Sequence, residues 1–127
     1  MSFDSFLPRI ADVLKYWKTI LRSGLIGTFV GIIPGVGEDV ASWSSYAAAR
    51  RASANPEQFG KGSVEGLMAT ETGDNACVPG AIIPVLALAI PGSAPAAMLM
   101  AAMIIHGVKR GPLIMVENPG SSTTWWR

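Results

Sequence analysis

Two tripeptides, Ile33-Pro34-Gly35 and Ile90-Pro91-Gly92, carry the clearest binding chemistry in this 127-residue chain. Proline removes a backbone donor and clashes with the preceding turn, while glycine frees the backbone, so each tripeptide breaks a helix. A helix restarting after such a break presents unsatisfied N–H groups and the positive end of its dipole, which suits an anion. Gly35 and Gly37 follow the first break. Gly92 and Ser93 follow the second, Ser93 adding a hydroxyl, and Asn75 supplies an amide donor upstream. Pro34, Gly35, Gly37, Asn75, Pro91, Gly92 and Ser93 therefore form the candidate binding set; the plain alternative is that the breaks are kinks shaped for helix packing.

Four carboxylates lie near these segments. Asp74, Glu71, Glu38 and Asp39 are candidates for coordinating Na+ or carrying a proton, because carboxylates are costly in an apolar medium and are retained there for a role. Each sits at the edge of an apolar run, where a solvated or helix-capping residue is the ordinary alternative.

Enzyme chemistry finds little support. Pro91-Gly92-Ser93-Ala94-Pro95 is no nucleophile elbow, no base is placed for Ser93, and a single histidine, His106, excludes paired-histidine metal spacing. Gly35-Val36-Gly37 begins like a dinucleotide fingerprint, but Val40 stands where the third glycine belongs. The lone Cys77 can form no internal disulfide and reads as a small buried apolar residue. No cofactor is expected beyond a coupling ion.

The elements that must position these residues are apolar. Half of the residues are hydrophobic, 15% are charged, and mean hydropathy is +0.37. A net charge of +1, without basic runs interleaved with aromatics, leaves no nucleic-acid footprint. The 34 residues from Asn75 to Val108 carry no formal charge, well past the ~18 apolar residues of a membrane-span candidate. Broken at Pro91-Gly92, this run reads as two apolar half-helices. In lipid, backbone freed by such a break must be satisfied by protein or a water-lined cavity, a feature of transporter substrate sites.

Phe3, Phe6, Leu7, Ile10, Val13, Leu14 and Trp17 recur at helical steps, with Arg9, Asp12, Lys15 and Lys18 on other faces, as in an amphipathic helix at a membrane surface. The uncharged stretch from Ser23 to Gly37 is a second broken element, in which Gly27 and Gly31 would let another helix approach closely. A helix from Val40 to Ala49 follows, then a polar loop through Asn55-Pro56-Glu57 to Gly62. Basic residues there and at Lys109 and Arg110 place both ends of the intervening region on the cytoplasmic side. That parity fits a re-entrant hairpin folded at Pro91-Gly92, or two spans with one drawn from Val64 to Cys77. Glu65, Glu71 and Asp74 favour the hairpin. The expected class is an all-α membrane protein of Pro-Gly-broken helices and a re-entrant helical hairpin, divided as an interfacial helix (1–22), a membrane module (23–116) and a loop-like tail (117–127).

Several motifs occur together in order: Gly31-Ile-Ile-Pro-Gly-Val-Gly37, Ala41-Ser42 and Tyr46, Phe59-Gly-Lys-Gly62, Glu65-Gly66, Glu71, Asn75-Ala76, Gly80-Ala-Ile-Ile-Pro84, Ile90-Pro-Gly-Ser93, His106-Gly107 and Gly111-Pro112-Leu113. From Trp17 to Met115 the chain resembles the large permease subunit of the tripartite tricarboxylate transporters, in part of its C-terminal half. The resemblance implies a multi-pass secondary transporter of the bacterial inner membrane for di- or tricarboxylates. It implies an ion gradient as driving force, with a periplasmic solute-binding protein and a small membrane subunit as partners. Asp74 stands where that family often has a second asparagine, and Glu38-Asp39 replace small or apolar residues; these changes would repel a carboxylate and suit a cation. The competing expectation is a truncated, membrane-inserted interaction piece that does not transport.

Overall fold

The computed structural model describes residues 14–108. Within them the chain forms four α-helices: α1 (Trp17–Ile32), α2 (Gly37–Ala52), α3 (Val64–Leu88) and α4 (Ala94–Ile105), with a 3-10 turn at Pro56–Gln58. Among the described residues there is no strand. The first part of the expected amphipathic helix, Lys109, Arg110 and the tail 117–127 lie outside the described residues.

α1 and α3 run parallel and share the largest interface. Thr19 meets Glu65 near one end, and Gly31 meets Cys77 and Ala81 near the other. α2 runs antiparallel to both, with Ala49 against Ala69 at its C-terminal end and Ser42 against Asp74 toward its start. α4 folds back, so that Ala96, Met100 and Met103 pack with Ala81 and Val85.

A stripe of buried residues recurs at every fourth position of three helices: Thr19, Ser23, Gly27 and Gly31 on α1, Ala41, Ser45 and Ala49 on α2, and Ala69, Gly73, Cys77, Ala81 and Val85 on α3, which also buries Gly66, Gly80 and Pro84. Such a stripe of small side chains lets helix backbones approach closely, as in helices packed within lipid. A methyl group on Gly27 would collide with the Gly73 carbonyl, and one on Gly31 with the Cys77 carbonyl. Gly73 is crowded from its other side by Ser45. Large apolar side chains point outward instead. Phe29 is 66% exposed and Trp43 70%, alongside Leu14, Leu21, Leu25, Ile83, Met98 and Ile105. Among the described residues one aromatic anchor is buried: Phe59, in the loop after α2, packs on Ala49 and Ala69, with its ring edge-to-face on Tyr46 at 5.2 Å.

Among the described residues, no helix is long and apolar enough to cross a membrane. α1 and α2 have 16 residues each, about 24 Å at 1.5 Å per residue, against a hydrocarbon core of ~30 Å. α3 has the length, with 25 residues, but carries Glu65, Glu71 and Asp74. α4 is uniformly apolar but has only 12 residues.

Two element boundaries differ from the sequence reading. α1 passes through positions 22 and 23 without interruption, and its exposed face is the apolar one: Leu14 and Trp17 point out while Thr19 and Ser23 are buried. α3 is continuous from Val64, through the acidic stretch, into the uncharged run. The carboxylates do not break it because Glu65 accepts hydrogen bonds from Thr19 (2.8 Å) and Ser53 (2.7 Å), Asp74 faces Ser42, and Glu71 is exposed. The turn at Pro91-Gly92 does separate two helices, but the first of them is far longer than a half-helix.

Candidate functional site: the paired proline-glycine loops

α1 ends at Ile32, ahead of Pro34. Gly35 and Gly37 then adopt φ of +79° and +80°, a left-handed conformation that glycine takes without the steric cost of a Cβ. α2 starts at Gly37 with no side-chain cap on its N-terminus. At the second break, α3 closes with Ala89 in the left-handed region at φ 56°. The Ala89 N–H donates to Val85 O and the Ile90 N–H to Pro84 O, satisfying carbonyls that the helix end would otherwise leave open. α4 begins after Ser93, whose Oγ accepts from the Ala96 N–H at 3.3 Å. Pro95 falls in the first turn, where a missing N–H costs nothing.

The fold joins the two loops. The Gly35 N–H donates to the Gly92 carbonyl at 3.0 Å, and Gly92 lies buried on the Gly31 backbone and Ala81. A Cβ at Gly92 would stand 2.9 Å from the Gly31 oxygen, so the second loop can seat against α1 only through a glycine. The N-termini of α2 and α4 thus open at the same end of the bundle. Their electrostatics differ: α2 carries Glu38 and Asp39 in its first turn, whereas α4 has no acidic residue there. The Ser93 end is the more favourable one for an anion.

Asn75 is elsewhere. It lies on the exposed face of α3, where its Nδ2 donates to Glu71 O at 2.8 Å, six residues and therefore ~9 Å along the helix from Ala81. Pro79 and Pro84 lie inside α3; having no N–H, they leave the carbonyls of Asn75 and Gly80 without their usual helical donor.

The carboxylates divide into two pairs. Glu38 and Asp74 both lie within electrostatic reach of the buried Cys77, along the seam between α2 and α3. Ser42 Oγ donates to Asp74 Oδ1 at 3.4 Å. Glu38 Oε1 and Ser45 Oγ are buried there without hydrogen-bond partners. Glu71 and Asp39 are exposed and outside the seam. Among the described residues no group of three or more His, Cys, Asp or Glu could hold a metal ion, so a cation on this seam would draw on hydroxyl and backbone oxygens as well. Ser42 and Ser45 were not singled out for this role from sequence; their signal is the four-residue step from Glu38 through Ser42, which puts them on one helix face with Ser45 beside it.

In secondary transporters, interrupted helices of this kind place their ends at the solute. The chain belongs to the tripartite tricarboxylate transporter TctA family, whose model matches residues 1–125. This is a family of transporters, which act in membranes, and not of enzymes. The chain is 35% identical over 108 residues to an uncharacterized 52.8 kDa protein of the TAR-I ttuC' 3' region of Agrobacterium vitis, covering 85% of this chain and 22% of the relative. It is 36% identical over 93 residues to an uncharacterized protein of the TAR-II ttuC' 3' region of the same organism, covering 73% of this chain and 38% of the relative. The chain thus spans about a fifth and about two fifths of the lengths of these relatives. No solved structure matches it.

Proposed function

We propose that this chain forms part of the solute path of a multi-pass permease that moves di- or tricarboxylates across the bacterial inner membrane. The observation that carries the reading is the 3.0 Å hydrogen bond from Gly35 to Gly92, which brings two interrupted helices, and the N-termini behind them, to one place. A carboxylate crossing the membrane needs positive potential without a permanent tight clamp, and helix N-termini supply it through N–H groups and dipole. Pro34, Gly35, Gly37, Pro91, Gly92 and Ser93 line this junction in the proposal. Asn75, with its amide held on α3, acts from the side of the path.

The polar seam is assigned to the driving ion. Glu38 and Asp74, with Ser42 and Ser45, offer carboxylate and hydroxyl oxygens to Na+ or a place for a proton, and Glu71 and Asp39 have only a solvated or capping role. A periplasmic solute-binding protein delivers the carboxylate and a small membrane subunit completes the system, as the family name's three parts imply. The lipid bilayer covers the outward-facing apolar side chains; so many of them in water would far exceed the apolar patches of a soluble monomer.

The test is uptake of a labelled tricarboxylate by a full-length permease carrying these residues. Ser93→Asp keeps a good helix cap but sets a negative charge at the α4 N-terminus, and is expected to abolish uptake while membrane insertion stays normal. Asn75→Ala is expected to reduce uptake at unchanged expression. Normal uptake by Ser93→Asp would remove the loop junction from the path.

A further inference from the structure

At the opposite end of the bundle from the loops lies a basin of about 320 Å³, walled by Lys15, Lys18 and Arg22 of the α1 end and floored by Asn55, Ser63 and Glu65. Its cations follow one another at helical steps and face a single carboxylate, Glu65, already engaged by Thr19 and Ser53. The Arg22 Nε is buried with no hydrogen-bond partner. Three cations lining a basin with one already engaged carboxylate leave positive charge unbalanced, and a phosphate matches it in charge.

A second feature adjoins the basin. Leu14, just ahead of α1, and Trp17, Leu21, Leu25, Phe29 and Ile32 on it are all exposed and form one stripe along its length. At 100° per residue, this stripe is rotated by roughly 70° from the face of Lys15, Lys18 and Arg22. A charged basin thus opens beside a continuous apolar track. Trp17, with the Lys18 ammonium 5.8 Å from its ring, and Tyr16, with Lys15 at 5.4 Å, stand at the boundary, where amphipathic aromatic rings settle at a membrane interface.

We infer that this basin binds the headgroup of an anionic phospholipid, its phosphate on Arg22, Lys18 and Lys15 and its acyl chains along the apolar stripe of α1. Asn55 and Ser63 offer an amide and a hydroxyl to the polar part of the headgroup. The inference rests on the membrane placement proposed above. It also sets the orientation, since Arg50, Arg51 and Lys61 share the basin's end of the bundle, and excess basic charge marks the cytoplasmic side.

The experiment is titration of the chain, extracted in a neutral detergent from carbonate-washed membranes, with phosphatidylglycerol or phosphatidylcholine, bound lipid being counted by native mass spectrometry. Phosphatidylglycerol is expected to bind in preference. Lys18→Gln and Arg22→Gln should each weaken it about fivefold, the worth of one basic residue at an anionic surface. Glu65→Gln keeps an acceptor for one of the two hydroxyls, Thr19 on Oε1 or Ser53 on Oε2, and turns an amide donor to the other; by removing the opposing charge it should strengthen binding, an outcome that mere loss of structure would not produce. Lys61→Gln, outside the basin, should leave it unchanged. Equal binding of the two lipids, equal weakening by Lys61→Gln, or displacement of phosphatidylglycerol by millimolar inorganic phosphate would overturn the inference, the last pointing to a free-anion site. Carbonate-resistant retention without lipid preference overturns this inference alone; release of the wild-type chain into the soluble fraction removes the membrane placement with it.

Discussion

Replacing Gly27 with alanine sets a methyl group against the Gly73 carbonyl, with the carbonyl carbon at 2.9 Å and the Ala76 Cβ at 3.0 Å. All three atoms belong to α3 at its closest approach to α1, and two are backbone, so no side chain can rotate out of the way. The helices must separate, and α2 resists this from behind because Gly73 is also held against Ser45. Overpacking of this kind costs about 1–3 kcal/mol. Gly24 provides the internal control. It lies on the same helix, and a Cβ there would meet only Thr72 Cγ2 at an ordinary 3.8 Å, so Gly24→Ala should gain up to ~1 kcal/mol of helix propensity. The two variants, alike in composition, should move unfolding in opposite directions, a separation of about 2–4 kcal/mol when both terms act. Thermal or denaturant unfolding in detergent micelles, followed by circular dichroism, measures it. Equal stability of the two variants would show that α1 and α3 do not cross at Gly27 and Gly73.

Other substitutions check separate parts of the structure by the same assay. Ala89→Gly removes a left-handed alanine at the end of α3 and should stabilise by about 1 kcal/mol; a loss of stability would contradict that turn. Phe59→Ala removes the buried ring beneath Tyr46 and should cost about 3–5 kcal/mol, whereas Trp43→Ala, on the outer face, should cost far less. Glu65→Ala strips Thr19 and Ser53 of a charged acceptor and should cost about 2 kcal/mol; a change below experimental error would mean that those contacts do not form.

The two loops were legible because proline and glycine act locally. The ends of α1 and α3 fall at Pro34 and Pro91, as the chemistry of those residues requires, and α2 lies where Val40 to Ala49 suggests. Gly27 and Gly31 stood out as a helix-contact pair, but the same four-residue step through Thr19, Ser23, Ser45, Gly73 and Cys77 was hidden by mixed residue types. What links those positions is smallness rather than polarity. Continuity of α3 through Glu65, Glu71 and Asp74 was obscured for a related reason: carboxylates read as breaks in an apolar pattern, and the hydroxyls that donate to Glu65 and Asp74, from Thr19, Ser53 and Ser42, are distant in sequence. The meeting of Gly35 with Gly92 is a tertiary fact, which depends on α1 and α3 being parallel. The apolar residues around Leu14 and Trp17 showed their periodicity plainly, but periodicity cannot say whether an apolar stripe faces a protein core or the surroundings.

The central claim, that the paired loops line the carboxylate path, is tested most directly by substrate protection at position 93. In a full-length permease with Cys77→Ala and Ser93→Cys that retains uptake, the rate of maleimide labelling in membrane vesicles is measured with and without a saturating tricarboxylate. Occupancy of the path should slow labelling severalfold, with a neutral solute of similar size having no effect. Labelling at the same rate in the presence and absence of transported substrate would contradict the claim and leave the two loops with a packing role alone.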